Sequence, residues 1–308
     1  MIDTVLIAGP TASGKSAVAL EIARATGGVI VNADSMQVYR ELRILSARPS
    51  EADEAAAEHR LFGTVGVLEP FSVARWLDAA RAELADIHGA GRVAIVTGGT
   101  GLYFKALEEG LAPAPSSDPA RRAEAVARRE ALGPEAFHAE LVALDPAAAA
   151  LAPGDTQRTL RAWEVVTASG RGLADWSEAQ AAPAIIAPER TVRVVIDVDR
   201  HVLNARIDAR FAAMMAAGAL EEARAFWALN RDPMSPAAKA LGLSQLKKVL
   251  DGELPLEEAE FDIRLKTRRY AKRQSTWFRN QTTDWLRADA TEKDAAYIAA
   301  AVLAALAD

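Results

Sequence analysis

The chain contains no cysteine, which excludes disulfides and every thiolate metal site. Its four histidines, His59, His88, His138 and His201, are scattered without ligand spacing, so any metal is expected to be a hard ion held by oxygens and phosphates. No apolar run approaches the length of a membrane span, and the N-terminus lacks a basic stretch followed by an apolar one. The expectation is a soluble, cytoplasmic, monomeric protein with no membrane partner. A net charge of −6 over 308 residues speaks against a protein that coats nucleic acid. One stretch nevertheless lacks the prevailing sign. From Ile263 to Thr283 there is no acidic residue, while Arg264, Lys266, Arg268, Arg269, Lys272, Arg273 and Arg279 are all basic, a local cationic surface of the kind nucleic acids use.

What the chain does contain is organised around Gly9-Pro10-Thr11-Ala12-Ser13-Gly14-Lys15-Ser16. This is a phosphate-binding loop of the form G-x-x-x-x-G-K-[ST], and its context agrees: the apolar run Val5-Leu6-Ile7-Ala8 precedes it, and Val18/Ile22 and Ala19/Ala23 fall four apart after it. Glycines let the backbone wrap an anion, the helix N-terminus presents amides, Lys15 adds a full charge, and the Ser16 hydroxyl can hold Mg²⁺ between two phosphate oxygens.

Length predicts about two domains, and a composition 50% hydrophobic is ample for a large core. Gly27-Gly28 ends the first helix, and the strand Val29-Ile30-Val31 delivers Asn32-Ala33-Asp34-Ser35 to its C-terminal end. In an open α/β sheet ligands sit there, so Asp34 should face the crevice that holds Lys15; a turn or N-cap aspartate is the competing explanation. An Ala- and Glu-rich helical stretch starts at Ser50. Ser72 caps a helix running to about His88, with Val73, Trp76, Leu77 and Leu84 on its buried stripe. The run Val93-Ala94-Ile95-Val96 reads as a buried strand, and Thr97-Gly98-Gly99-Thr100-Gly101 repeats the strand-to-glycine-turn device before a helix at Leu102 to Leu107. Two such turns suggest two walls of one anion site, with Thr100 offering a hydroxyl and an amide unless it is a plain turn residue.

Pro113, Pro115 and Pro119 mark a change. Residues 119 to 182 are Ala-rich and helical with no strand candidate, so the domain plan is a first core segment 1–115, a helical insertion 116–188 and a completing segment 189–308. Within the insertion Arg158 and Arg161 lie three apart on a helix beside Leu160 and Trp163, as a solvated face would also place them. A strand at Val192 to Val198 returns to the sheet, and the helix His201 to Ala217 leaves Arg206 and Arg210 stacked four apart. Asp232-Pro233-Met234-Ser235-Pro236 reads as a second insertion-like segment. The helix from about Pro255 carries the cationic run with Tyr270, Trp277 and Phe278 interleaved; single-stranded or structured RNA would suit it, and so would solvent with a buried aromatic stripe.

No N-K-x-D guanine-reading motif occurs, and the strand at Val93 to Val96 ends in Thr97 rather than an acidic pair, so the usual Mg²⁺ aspartate of an ATPase is missing from its place. A small-molecule kinase and a group transferase both remain open on pattern alone. The spelling goes further. Residues 9 to 16, Asn-Ala-Asp-Ser-Met-Gln-Val-Tyr-Arg at 32 to 40, Gly-Gly-Thr-Gly-Leu-Tyr at 98 to 103 and Ala-Lys-Arg-Gln-Ser-Thr-Trp-Phe-Arg at 271 to 279 together closely resemble the tRNA dimethylallyltransferase family over nearly the whole chain.

That resemblance implies an α/β fold with a P-loop NTPase-like parallel sheet and a small α-helical insertion. It also implies transfer of a dimethylallyl group from dimethylallyl diphosphate to N6 of the adenosine 3′ of the tRNA anticodon. By the family's pattern Asp34 is the general base, and Thr100 and Arg210 flank a diphosphate cradled by Gly9 to Ser16 with Mg²⁺ at Ser16. The tRNA contacts implied are Asp34, Ser35, Met36 and Gln37, then Arg122, then Gln157, Arg158, Thr159, Leu160 and Arg161, and finally Lys272, Arg273, Gln274, Trp277 and Arg279, all directed at the anticodon stem-loop. Two segments depart from the pattern, Lys239 to Gln245 and His59 to Thr64, which puts tRNA contacts from Leu243 and Ser244 in doubt and leaves the second loop without a role.

Overall fold

In a computed structural model that describes residues 2–178 and 183–307, the chain divides into two compact bodies, Met1–Glu108 with Ile185–Asp308, and Glu109–Ala184. The first opens with β1 (Thr4–Ala8), buried throughout as a central parallel strand must be. The glycine loop follows, then α1 (Lys15–Thr26), which buries Val18, Ala19, Ile22 and Ala23 and stops at Gly27 with φ +65°. In order come β2 (Val29–Asn32), α2 (Glu51–Ala56), β3 (His59–Arg60), α3 (Val73–Gly89), β4 (Ala94–Gly98) and α4 (Gly101–Glu109). Ser72 caps α3 by accepting from the Arg75 amide, and Trp76, Leu77 and Leu84 are buried as its spacing predicts, while Val73 stays half-exposed.

The second body is helical: α5 (Pro119–Leu132), α6 (Pro134–Leu144), α7 (Thr156–Ser169) and α8 (Leu173–Glu178). Its core gathers Ala125, Phe137, Leu141, Leu160, Trp163 and Val166. The end of the predicted helical stretch, residues 179–182, lies outside the described residues. The chain then rejoins the first body through β5 (Thr191–Asp197), α9 (Arg200–Ala216), α10 (Ala219–Leu229), α11 (Leu243–Leu250), α12 (Leu256–Gln281), β6 (Leu286–Asp289) and α13 (Ala295–Ala307). Residues 232–236 form a short loop, closed where the Asn230 amide donates to Ser235 Oγ at 2.6 Å, and belong to this body rather than to an insertion.

The sheet has the order β3-β2-β4-β1-β5-β6, and all its pairs are parallel. Registers set Ala8 beside Gly98 and Asn32 beside Thr97. The carboxyl ends of β2, β4 and β1 therefore finish level, and the three turns that leave them are neighbours at the position where open α/β sheets bind ligands. One face is covered by α1 and α13, with Val18, Ile22, Ile298 and Val302 packed on Val5, Ile7 and Ile196. On α3 and α4, Trp76 stacks on Tyr103 with ring centroids 4.1 Å apart, and Phe104 meets Phe278 and Trp285 edge-on.

The four anticipated strands are present as β1, β2, β4 and β5. β3 and β6 were not anticipated, because β3 is two residues long and β6 reads Leu-Arg-Ala-Asp on an exposed edge, without an apolar run or clean alternation. None of the helices among the described residues is long and apolar enough to cross a membrane.

Candidate active site

The loop leaving β1 is shaped by close approach. A Cβ added at Gly9 would lie 2.8 Å from Ser13 Oγ and 2.9 Å from Ile196 O, so only glycine lets the chain turn there. The Ser13 amide donates to Pro10 O at 3.2 Å, and Gly14, with φ +93°, starts α1 from a left-handed conformation. Beyond it the amides of Gly14, Lys15 and Ser16 donate to no group among the described residues. These are orphan donors at a helix N-terminus, where the partial positive charge of the helix also lies. The arrangement suits an anion.

Three cationic side chains join them. Lys15 Nζ donates to Pro10 O at 3.3 Å; burial lowers its pKa to about 8, with Asp34 opposing the shift and Arg210 adding to it. Arg210 on α9 donates to Thr11 Oγ1 at 2.6 Å, and burial likewise lowers its pKa. Arg206, one turn earlier, braces the loop from behind through Ser13 O and Ala290 O, at 3.5 and 2.8 Å. The stacked pair seen in the sequence thus reaches the phosphate loop twice.

Asp34 follows β2 and is aimed by Asn32. The fully buried Asn32 side chain accepts from the Asp34 amide at 2.8 Å and donates to Asp34 O at 3.0 Å and Leu61 O at 3.1 Å. Trp76 Nε1 donates to Asn32 O at 2.8 Å, fixing the same turn from α3. One Asp34 oxygen, Oδ1, accepts from the Met36 amide at 2.9 Å, as a turn aspartate does; Oδ2 takes no hydrogen bond among the described residues. Its charge acts on Lys15, Arg210, Tyr103 and Tyr270, and both tyrosine pKa values are raised, first by burial and then by Asp34.

The third turn closes on the second. The Thr100 amide donates to Ala33 O at 3.2 Å, and Thr100 Oγ1 accepts from the Ser35 amide at 3.0 Å. A Cβ at Gly98 would collide with the Ala33 carbonyl, and one at Gly101 with the Trp277 ring of α12. The structure thus brings together the predicted loop 9–16, Asp34, Thr100 and Arg210. Among the described residues no three His, Cys, Asp or Glu side chains cluster as a metal site. A magnesium ion would fit only as a hard ion held by the exposed Ser16 hydroxyl and mainly by oxygens of the bound anion.

Several expected tRNA contacts take other positions. Gln274 is 5% exposed and faces inward, where its amide bridges the Thr11 amide and Gly99 O, each at 2.8 Å. Thr159 and Leu160 are buried in the core of the helical body, and the Thr159 hydroxyl donates to Asp155 O at 2.9 Å, so neither side chain offers a contact surface. The Gln37 amide is committed to Ser46 O and Ala47 O. In the helical body Arg122 and Arg161 pair with the buried Glu164, at 2.7 and 3.8 Å, while Gln157 and Arg158 are exposed. Lys272, Arg273 and Arg279 are exposed and form no ion pair among the described residues, Trp277 is half-exposed, and Ser35 and Met36 sit at the rim of the Asp34 turn. Leu243 is fully buried. Asn32, Tyr103 and Tyr270 stood in the sequence motifs without a site role; an asparagine two residues before a strand-end aspartate is the signal that marks the first.

A family model described as IPP transferase matches residues 37–281. A protein named tRNA dimethylallyltransferase from Rhodopseudomonas palustris is 52% identical over 287 residues, covering 92% of this chain and 89% of the relative. Another of that name, from Rhodospirillum centenum, is 54% identical over 278 residues, covering 90% and 88%. The crystal structure of a full-length tRNA isopentenylpyrophosphate transferase from Bacillus halodurans superimposes with a TM-score of 0.70 at 30% identity, covering 100% of this chain and 97% of that one.

Proposed function

The chain belongs to the IPP transferase family, and from that premise we propose that it moves the dimethylallyl group of dimethylallyl diphosphate onto N6 of the adenosine 3′ of the anticodon in tRNA. The C1–O bond to diphosphate breaks, a C1–N6 bond forms, one N6 proton goes to Asp34, and diphosphate departs. The observation that carries this is Asp34 Oδ2, which takes no hydrogen bond among the described residues, on a carboxylate whose charge acts on Lys15 and Arg210 beside the unpartnered amides of the anion cradle.

An adenine N6 amine is a weak nucleophile because its lone pair is delocalised into the ring. Its proton becomes acidic only as the new bond forms, so a carboxylate held in place can remove it during that step. Charge grows on the leaving diphosphate at the same time. Lys15 and Arg210, which rest on Pro10 O and Thr11 Oγ1, would turn to it together with the amides of Gly14 to Ser16, and Thr100 would add its hydroxyl, since its amide is given to Ala33 O; loss of one such donor typically costs about 10² to 10³ in rate. Magnesium held at Ser16 would neutralise part of the diphosphate charge.

The acceptor base must leave its stack to reach Asp34, at a cost of a few kcal/mol, lower in an open anticodon loop. Contacts that offset this cost would come from the exposed cations Lys272, Arg273 and Arg279 and, on the helical body, from Arg122, Gln157 and Arg158. The enzyme would act as a monomer on one stem-loop.

The test is direct. Purified protein with magnesium, dimethylallyl diphosphate and an anticodon stem-loop should yield N6-isopentenyladenosine on nucleoside mass spectrometry. An unmodified stem-loop together with ATP hydrolysis would replace this function with phosphoryl chemistry.

A further inference from the structure

The buried Gln274 amide joins two turns that no other side chain joins among the described residues. Its Oε1 accepts from the Thr11 amide in the phosphate loop, and its Nε2 donates to Gly99 O in the turn that carries Thr100, both at 2.8 Å. Thr11 in turn receives Arg210 on its hydroxyl, and Thr100 receives Ser35 on its own. Hydrogen bonds therefore run without a break from Arg210 through Thr11, Gln274 and the Gly99-Thr100 turn to the Asp34 turn. The bridge needs an acceptor and a donor on one short planar group, which a carboxamide supplies. Its place on α12 is a core-facing one, between the buried Ala271 and Phe278. A polar group so placed would be costly if its two partners were absent.

We propose that Gln274 is a positioning residue. Without touching substrate, it sets the separation between the diphosphate cradle and the Thr100–Asp34 wall, and it does so from the helix whose outer face carries Lys272 and Arg273. This rests on the proposed prenyl transfer. An RNA bound to that outer face and a diphosphate in the cradle then act on one hydrogen-bonded strut, so the helix position favoured by one ligand favours the cradle geometry that holds the other. Misplacement of reacting groups by about 1 Å can cost about 10² in rate, which is the size of effect expected when the bridge is lost.

The experiment uses the full chain, three single variants and one double variant. Prenyl transfer by the wild-type protein to an anticodon stem-loop comes first, since its failure removes the proposed function rather than the role of Gln274. Gln274→Leu should then lower kcat by about 10², weaken pyrophosphate binding, and leave the stem-loop dissociation constant, measured without donor, unchanged. Gln274→Glu keeps the acceptor for Thr11 but loses the donor to Gly99, and should fall between wild type and Gln274→Leu in pyrophosphate affinity. Gly99→Ala places a methyl group against the Gln274 amide nitrogen, so it should mimic Gln274→Leu, and the double variant should be no worse than either single one. In the wild type, pyrophosphate should tighten stem-loop binding, and Gln274→Leu should abolish that effect. A wild-type kcat in Gln274→Leu, additive losses in the double variant, or loss of stem-loop affinity in step with kcat would each overturn the proposal. If Gly99→Ala does not fold, the coupling measurement on Gln274→Leu decides alone.

Discussion

Two side chains, Asp34 and Lys15, show how position alone assigns chemistry. Asp34 divides its carboxylate, giving Oδ1 to the Met36 amide while Oδ2 takes no hydrogen bond among the described residues, so the residue that forms the turn is also the one proposed as base. Asp34→Asn keeps the turn and removes the base; prenyl transfer under single-turnover conditions should fall by about 10² to 10⁴ with pyrophosphate and RNA binding intact. An unchanged rate would free Asp34 from that role. Lys15 is more informative through pH. Its folded-state pKa is about 8 against an ordinary 10.5, so below 8 both folded and unfolded chains carry the proton and the buried charge weighs against folding. Between those values the unfolded chain holds more protons, and stability of the ligand-free protein rises with pH. An anion in the cradle restores the charged form, so pyrophosphate binding near pH 9 should take up a proton. Calorimetry in buffers of different ionisation enthalpy would register that uptake, and Lys15→Met should eliminate it.

Among the elements, α12 carries the clearest division of labour. Its basic residues look uniform in sequence, yet they are not equivalent. Arg264 pairs with Glu260 and Lys266 with Asp262, each at 2.9 Å, and Arg268 pairs with Asp208. Farther along, Lys272, Arg273 and Arg279 form no ion pair among the described residues, and Arg273 lies over the Tyr270 ring with 5.6 Å to its centroid. Sites already neutralised release few counterions on binding RNA. Lys272→Ala and Arg273→Ala should each weaken stem-loop binding and reduce the slope of log affinity against log salt by about 0.7 to 1, whereas Lys266→Ala should leave that slope nearly unchanged. Equal slopes for the two groups would show that the whole helix contacts RNA. The glycine turn after β4 depends on the same helix, because Trp277 covers Gly101 and Gln274 occupies the space a side chain at Gly99 would need.

At the scale of the whole molecule, the helical body of residues 109–184 has its own core and its own buried charge. Glu164 is 2% exposed and accepts from Ser117 and Arg122, both at 2.7 Å, with Arg161 at 3.8 Å. Arg122 and Arg161 were read as RNA contacts; here they also anchor the start of α5 and the middle of α7. Glu164→Ala would leave Arg122 and Ser117 without their acceptor and Arg161, which donates to Pro115 O, without its counter-charge, and because both arginines are partly solvated the loss should be on the order of 2 to 3 kcal/mol, below the 3 to 5 of a fully buried pair. Earlier proteolytic cleavage within 109–184 would report it, and unaltered protection would contradict it. Legibility in the sequence followed the range of the interactions involved. Local devices were readable: the spelling of residues 9 to 16, the four buried strands, the Ser72 cap, and Asp34 at a strand end, because each is specified by neighbours within a few positions. The edge strands β3 and β6 were not, since their pairing comes from the adjacent strand rather than from their own pattern. Nor could the sequence say that Gln274 faces the cradle while Lys272 and Arg273 face outward. By itself the chain determined which chemistry-bearing residues exist and at which strand ends they emerge. Only the tertiary structure decided which of them meet, because the contacts that join Thr11 to Gln274 and Ser35 to Thr100 span 263 and 65 residues, and no local preference reaches that far.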